Sequence, residues 1–132
     1  MDISLILLTY KGKILLTNKD YPDHSVEKSA WCFISEHKKT NSSPKDTILK
    51  KVIEETAISL NAIKFLSSCK YKNKIRHFFY GTLTDDNVNN IKRPEGKLIN
   101  FFSIKELGNL SLTVSSQLLI EKHRDLLDSP LV

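Results

Sequence analysis

Short apolar runs separated by polar turns occupy the first quarter of the chain. Ile3 to Thr9 is a short aliphatic run, as expected for a strand that is buried on both faces. Tyr10-Lys11-Gly12 is a turn signal, and Ile14 to Thr17 returns as a second strand, which predicts a hairpin. A polar loop follows over 18–30, and Trp31 to Ile34 is predicted to be a third, short strand.

Helical spacing replaces this pattern after a second polar loop at 35–43. Ser43 can cap a helix, Pro44 suits its first position, and Asp46 can complete a capping box. The apolar residues that recur at helical spacing are Ile48, Leu49, Val52 and Ile53. The residues predicted for the opposite, polar face are Lys50, Lys51, Glu54 and Glu55.

The second half of the chain predicts further strands and one more helix. The remaining elements are strands at 60–72, 74–84 and 98–103, one helical turn at 104–107, and a final helix from Thr113 or Ser115. A polar loop separates 84 from about 97. Because strands and helices do not alternate strictly, this order favours an α+β fold, with a mixed sheet between two helices, over a doubly wound parallel sheet.

Composition adds limits on the class of protein. The chain has 132 residues, 40% hydrophobic and 27% charged, which predicts one globular domain over 1–132. Cys32 and Cys69 are far apart, so we expect free thiols in a reducing cytosol. The apolar stretch Ile3 to Leu8 is too short to span a membrane and carries no signal-peptide flanks. We therefore expect a cytoplasmic protein without membrane association.

The net charge of +5 favours anionic partners such as nucleotides or RNA. The basic residues are spread along the chain, so ordinary solubility charge is the favoured explanation and a polyanion-binding surface is the alternative. One local run, Lys70 to Arg76, is basic with Tyr71 inside, and it could contact phosphates or form a solvated hairpin tip.

The polar face of the predicted helix carries the candidate chemistry. Lys50 and Lys51 each precede a glutamate, Glu54 or Glu55, by four residues, as in an ordinary solvated face with ion pairs. Lysine before glutamate is the poorer orientation of such a pair, and glutamate near a helix C-terminus opposes the helix dipole. These small costs argue weakly for a functional reason to keep the two glutamates.

Glu54-Glu55, with Val52 before them and Ile58 after them, resemble the signature of the Nudix superfamily of MutT-like hydrolases. That signature reads Gly, five residues, Glu, seven residues, Arg-Glu, an aliphatic, any residue, Glu-Glu, any residue, Gly and an aliphatic. Placing Glu54-Glu55 on its paired glutamates gives an ungapped match over 36–58, with Lys50 at the Arg position.

Segments outside the helix extend the resemblance over nearly the whole chain: Trp31-Cys32-Phe33, Arg76 to Leu83, and Glu95 to Leu107. The resemblance implies an α/β/α sandwich around a mixed sheet, and allows a homodimer. It also implies hydrolysis of a phosphoanhydride bond in a nucleoside diphosphate derivative. Mg²⁺ or Mn²⁺ would be held by signature carboxylates, here Glu54 and Glu55, because hard cations prefer oxygen ligands and can activate water.

Four departures from the signature concern this chemistry. Glu36 replaces the first Gly, Ser42 replaces the first Glu, Lys51 replaces the Glu after the Arg, and Ala57 replaces the late Gly. Lys51 removes a metal ligand and adds a positive charge at the same place, which should oppose a cation in a partly buried site. The departures predict that hydrolysis is impaired or lost.

Other residues could replace the missing ligands or bind a substrate. The acidic candidates are Glu36, Asp46, Asp85, Asp86 and Glu95. Asp46 is expected at a helix start and Asp85 and Asp86 in a turn, so Glu95 is the best of them. Lys50, Lys51, His77 and Glu95 are the candidate ligand-binding residues, with a packed or hydrogen-bonded role as the alternative for His77.

Three hypotheses follow. The first is a Nudix-fold protein with hydrolysis impaired or lost that still binds a nucleotide or other diphosphate-containing molecule, or serves in protein interaction. The second is an active hydrolase in which Glu54 and Glu55 work with non-signature ligands such as Glu95. The third is an RNA-binding module that uses the Lys70–Arg76 hairpin together with Lys50 and Lys51.

Overall fold

A mixed β-sheet with helices on both faces forms the framework. The computed structural model describes residues 2–19, 30–93 and 97–128. The strands are β1 (Asp2–Tyr10), β2 (Lys13–Lys19), β3 (Ile34–His37), β4 (Lys64–Tyr71), β5 (Lys74–Thr82) and β6 (Lys97–Ser103). The helices are α1 (Pro44–Thr56), α2 (Asp85–Asn89), α3 (Ile104–Leu107), α4 (Val114–Lys122) and α5 (Arg124–Asp128).

Strand β1 is the centre of the sheet, whose order is β4-β5-β1-β2-β6 with β3 also paired to β1. It runs parallel to β5 along one edge. Its other edge pairs antiparallel with β3 near the start of the strand and with β2 near its end. A strand with neighbours on both edges and helices on both faces needs apolar side chains on both faces, as the run at 3–9 predicted.

Two hydrophobic clusters lie on opposite faces of this sheet. Leu5 packs on one face with Leu119 of α4, and Ile6 packs on the other face with Val52 of α1. Alternate residues of β1 therefore enter different layers, since successive side chains of a strand point to opposite faces. The predicted α/β/α sandwich around a mixed sheet is confirmed.

The third strand lies later in the chain than predicted. Trp31 and Cys32 form only isolated bridges, to Leu112 and Thr17, and the strand proper is Ile34–His37. The prediction of a strand at 31–34 and a loop from Ser35 was wrong in its boundaries. The polar residues of β3 are tolerated because this short strand pairs with the beginning of β1, where its own side chains are only partly buried.

One predicted loop, one predicted strand and one predicted helix also differ from the structure. Asp85–Asn89 forms the short helix α2 rather than a turn, because Thr84 and Asn87 form a reciprocal capping box. Strand β4 begins at Lys64, four residues later than expected. The final helix begins after Thr113, as predicted, but breaks at His123 into α4 and α5. No helix in the described ranges is long and apolar enough to cross a membrane.

Helix α1 begins where the sequence predicts and ends in a conformation that its sequence does not suit. Ser43 accepts a hydrogen bond from the backbone N–H of Asp46 at 3.0 Å, and Pro44 opens the helix. Ala57 closes it with φ of 67°, in the left-handed region, and donates its N–H to the carbonyl of Ile53 at 2.8 Å. Glycine usually occupies this position because it has no Cβ to clash.

Replacing Ala57 with Gly should stabilise the protein by about 0.5–1 kcal/mol, because relief of the left-handed strain exceeds the added entropy of the unfolded chain. Urea unfolding measures the change. Ala62→Gly is the matched control, since Ala62 is exposed and has no positive φ, and it should be neutral or slightly destabilising. Equal effects of the two changes would contradict strain at Ala57.

His123 lies between α4 and α5 and contacts residues of β4 and β5. Its Nε2 lies 2.7 Å from Ser67 Oγ, and its ring meets the edge of Phe78 with centroids 5.9 Å apart. Burial, and secondarily Lys122, lowers the pKa of His123. A histidine with a lowered pKa binds protons more weakly in the folded than in the unfolded state, so protonation favours unfolding.

The contribution of His123 to stability should fall as the pH drops below about 6.5, the value of an unfolded histidine, and should be fully lost below the lowered pKa. The free energy of unfolding of His123→Gln should therefore decline less than that of the wild type between pH 7.5 and 5. Urea titrations at several pH values provide the comparison. Identical pH slopes would show that His123 is not the group responsible.

Candidate functional site at helix α1

The buried face of α1 includes a glutamate where an isoleucine was expected. The helix buries Thr47, Ile48, Val52, Glu55 and Thr56. Ile53 is 48% exposed, whereas Glu55 is 6% exposed. The predicted apolar face was thus wrong at both positions: the buried stripe follows 48, 52 and 55 rather than 48, 52 and 53. Thr56 fits this stripe because its hydroxyl donates to the carbonyl of Val52 at 2.7 Å.

Two lysines hold the buried carboxylate of Glu55. The ammonium of Lys51 lies 3.3 Å from Glu55 Oε1, and the ammonium of Lys97 lies 3.1 Å from the same oxygen. Lys51 also lies 3.5 Å from Glu36 Oε2. Opposite charges therefore alternate along Glu36, Lys51, Glu55 and Lys97, from β3 across α1 to the start of β6. We call these four residues the charge row.

The electrostatic balance of the row keeps Lys51 protonated. Partial burial lowers the pKa of its ammonium, but the charges and hydrogen bonds of Glu55 and then Glu36 together outweigh burial and raise that pKa above its ordinary value. The other oxygen of the buried carboxylate, Glu55 Oε2, has no hydrogen-bond partner within the described residues. Both lysines therefore converge on one oxygen and leave the second without a donor.

A cavity of about 240 Å³ opens beside the charge row. The residues that line it are Glu36, Lys39, Thr40, Ser42, Thr47, Lys50, Lys51 and Glu54. Ser42, which stands at a carboxylate position of the signature, lies 3.0 Å from the hydroxyl of Thr47. Three lysines, three hydroxyl side chains and two glutamates thus face the cavity, and two of these residues, Ser42 and Lys51, stand where the signature has carboxylates.

The predicted site residues separate into those that meet at this cavity and those that do not. Lys50, Lys51 and Glu54 line it, and Glu55 is connected to it by its ion pair with Lys51. Glu54 is exposed and forms no ion pair with Lys50 in the described part of the chain. Glu95 lies outside the described residues, so its place relative to the cavity is not described.

His77 lies elsewhere, in a polar chain at the end of the sheet. Its Nδ1 is 2.7 Å from Ser68 Oγ, and its Nε2 is 3.0 Å from Asp2 Oδ2. The His77 hydrogen bond lowers the pKa of Asp2. His77 is not among the residues that line the cavity, and the geometry corresponds to the hydrogen-bonded alternative considered for this residue.

The other acidic candidates serve local structure. Asp46 is exposed in the first turn of α1. Asp85 accepts a hydrogen bond from the hydroxyl of Tyr10 at 2.7 Å and lies 3.4 Å from the ammonium of Lys11. Neither Asp85 nor Asp86 lines the cavity.

A divalent cation does not fit the donor set of the described residues. Across 2–19, 30–93 and 97–128, no three His, Cys, Asp or Glu side chains lie close enough to hold a metal ion. Hard cations require several oxygen ligands, whereas Glu55 here faces two ammonium groups and Ser42 offers a hydroxyl. One feature of the described residues favours a cation: Glu55 Oε2 is buried without a hydrogen-bond partner.

Lys97 is a site residue that sequence reasoning missed. It opens β6, which pairs antiparallel with β2 from Lys19↔Lys97 onward, and its ammonium reaches the C-terminal half of α1. Nothing in the local sequence marks it, because a lysine at a strand start is ordinary. A second lysine could have been sought only from the burial of Glu55, which the sequence did not predict, because a buried carboxylate needs compensating charge.

Two basic residues of the β4–β5 hairpin, Lys72 and Arg76, make contacts within the protein. Arg76 is buried, donating to Ser115 Oγ at 2.7 Å and to the Tyr71 carbonyl at 3.0 Å. Lys72 and Arg76 both lie over the ring of Tyr71, at 5.5 and 5.8 Å from its centroid. These cations compete with any base that would stack on Tyr71.

Solved structures of Nudix and MutT proteins match this fold. A MutT/Nudix family protein from Listeria innocua matches with a TM-score of 0.76 at 15% identity, covering 95% of this chain and 92% of that chain. The MutT Nudix hydrolase from Burkholderia pseudomallei matches with a TM-score of 0.74 at 13% identity, covering 92% and 96%. The Nudix domain of Shewanella oneidensis NrtR, complexed with ADP ribose, matches with a TM-score of 0.71 at 14% identity, covering 96% and 88%.

No family model and no curated protein sequence matches the chain. The structural matches establish that the chain has the Nudix fold, and the resemblance inferred from the sequence is confirmed at that level. At these identities the matches speak for the fold alone. What the chain does has to be argued from its own residues.

Removing the ammonium of Lys97 should destabilise the protein, because the buried carboxylate of Glu55 then loses one of its two partners. Lys97→Met should lower the free energy of unfolding by about 1–3 kcal/mol, because it removes a partner from a buried charged acceptor. In a Glu55→Gln background the same change should cost much less, since no charge then needs compensation. Urea unfolding of the four proteins measures this coupling.

Lys64→Met is the matched control, because Lys64 is exposed on β4, and it should change stability by no more than about 0.5 kcal/mol. Additive effects of Lys97→Met and Glu55→Gln would contradict the ion pair.

Proposed function

We propose that this chain is a Nudix-fold protein that has lost most or all metal-dependent hydrolysis and binds a nucleotide or other diphosphate-containing molecule in the cavity beside α1. One observation carries the proposal: the buried signature carboxylate, Glu55, is neutralised from within the protein by Lys51 and Lys97. The carboxylate that the Nudix resemblance assigns to a metal ion already faces two positive charges.

Charge arithmetic supports the loss of hydrolysis. Replacing a glutamate with Lys51 changes the local charge by two units, and Lys97 adds another positive charge on the same oxygen of Glu55. A divalent cation would meet two ammonium groups within a few ångströms, in surroundings where screening by water is reduced. An ammonium can neutralise a phosphate, but it cannot activate water as a metal ion does.

The lining of the cavity supports an anionic ligand. Lys39, Lys50 and Lys51 line it together with hydroxyl side chains, which are donors suited to phosphate oxygens, and they outnumber the two lining carboxylates, Glu36 and Glu54. The Nudix domain of NrtR was solved with ADP ribose, so a diphosphate-linked nucleotide is a reasonable first ligand to test against this chain.

A hydrolysis screen tests the loss of activity. Nucleoside di- and triphosphates, sugar nucleotides, dinucleoside polyphosphates and capped RNA would each be incubated with the protein and Mg²⁺ or Mn²⁺. We expect no turnover above that of Glu55→Gln, which removes the signature carboxylate and controls for contaminating enzymes. Efficient metal-dependent turnover that disappears in Glu55→Gln would overturn the proposal.

Lys51→Glu provides the complementary gain-of-function test. The change restores a carboxylate between Glu36 and Glu55, so Mn²⁺ should raise the thermal stability of this variant and not that of the wild type. Any turnover in the screen should rise at least about tenfold, equivalent to about 1.4 kcal/mol of barrier. Lys50→Glu, one position earlier and exposed, is the control and should show neither effect.

One observation favours a second candidate, an active hydrolase with a rebuilt metal site. Glu55 Oε2 is buried without a hydrogen-bond partner in the described ranges, as expected for a carboxylate oxygen that coordinates a metal ion. Glu54 and Glu95 would then complete the ligands. This candidate predicts the opposite outcome in the hydrolysis screen, with turnover abolished by Glu55→Gln while stability is retained.

A further inference from the structure

The charge row contains more positive charge than its buried carboxylate needs. Lys51 and Lys97 share a single oxygen of Glu55, and the side chain of Lys97 is only 15% exposed. One ammonium suffices to neutralise one carboxylate. Lys51 is therefore available, in charge terms, to an anion without leaving Glu55 uncompensated, and the other carboxylate it would release, Glu36, is 26% exposed to water.

The two lysines differ in what they can reach. Lys51 lines the cavity, whereas Lys97 does not. Lys51 also contacts Glu36 at the cavity wall, at 3.5 Å, and its side chain is 25% exposed. Lys51 is thus placed to meet a ligand, and Lys97 is placed to meet only Glu55 among the acidic groups of the described chain.

The cavity is smaller than a site that would enclose a whole nucleotide. Its volume of about 240 Å³ is below the roughly 300–1,000 Å³ typical of sites that enclose a drug-sized molecule. Lys39 and Lys50 are exposed at its wall and form no ion pair within the described ranges. With Lys51 they place three positive charges against the two negative charges of Glu36 and Glu54 in the cavity lining. These lysines can contact a diphosphate while the rest of the ligand lies outside the cavity.

We propose that this cavity binds the diphosphate group of its ligand without a divalent cation, with Lys51 contacting the phosphate and Lys97 acting as a positioning residue. The inference rests on the proposed function and adds how the ligand is held. Lys97 neutralises Glu55 in place of Lys51, so Lys51 can turn to the ligand. Without Lys97, Glu55 retains Lys51 and competes with the phosphate for it.

This arrangement predicts an unusual effect of removing the signature glutamate. Glu55→Gln should strengthen binding of the diphosphate, because it removes a negative charge that competes for Lys51. In a metal-dependent site the same change should weaken binding, because it removes a metal ligand. The sign of this one effect separates the two kinds of site.

Isothermal titration calorimetry with inorganic pyrophosphate and with ADP ribose provides the test, in EDTA and again in excess Mg²⁺. We expect binding in EDTA, equal or weaker affinity in Mg²⁺, and at least a tenfold loss of affinity in Lys51→Met. Lys97→Met should lose several-fold, Lys97→Arg should retain affinity, and Lys97→Met combined with Glu55→Gln should recover it. Lys64→Met controls for the change in net charge.

Each contrary result has a definite meaning. Binding that requires Mg²⁺, or that is lost in Glu55→Gln, would overturn the metal-free site while leaving the loss of hydrolysis to be judged by turnover. Failure of the Glu55→Gln change to rescue Lys97→Met would overturn the positioning role of Lys97. Absence of binding by both probes in both buffers would remove this inference and the ligand assigned to the cavity, without bearing on hydrolysis.

Discussion

A carboxylate buried on helix α1 requires compensation, and the candidate site is organised around that requirement. Glu55 is 6% exposed, and an ionised group in such surroundings is costly unless opposite charge lies close to it. Lys51 supplies that charge from the same helix, and Lys97 supplies it from the start of β6. Once both are in place, the position that the Nudix resemblance assigns to a metal ion carries positive charge of its own.

The fold brings these groups together from distant parts of the chain. Glu36 is held by β3 against the beginning of β1, α1 packs on the same sheet through Val52, and β6 reaches α1 by pairing with β2. The apolar residues of β1 hold the helices of both layers against the same sheet, because each face of β1 belongs to a different hydrophobic cluster. The site therefore depends on the sheet for its geometry and on three side-chain contacts for its charge balance.

Local signals made the framework predictable. The Ser43 cap with Pro44, the β1–β2 hairpin and the start of the final helix after Thr113 are each set by a few neighbouring residues. The boundaries of β3 and the formation of α2 were missed. Pairing with β1 makes the polar residues after Ile34 part of strand β3. A reciprocal capping box between Thr84 and Asn87 makes the polar stretch at 85–89 helical.

The candidate site was predictable only in part. The paired glutamates and the lysine before them could be found from their spacing, and so could the replacement of expected carboxylates. Periodicity alone placed Ile53 inside and Glu55 outside, whereas packing on the sheet does the reverse. The role of Lys97 depends on where β6 begins relative to α1, and this is a property of the sheet rather than of any local pattern.

Binding of Mn²⁺ to the wild-type protein, followed by electron paramagnetic resonance of the free ion, tests most directly whether lysines have taken the place of the metal. If Lys51 and Lys97 neutralise Glu55 as the structure places them, titration at neutral pH should reveal no stoichiometric site, and Glu55→Gln should leave the titration unchanged. A stoichiometric Mn²⁺ site that disappears in Glu55→Gln would contradict that view and identify Glu55 as a metal ligand.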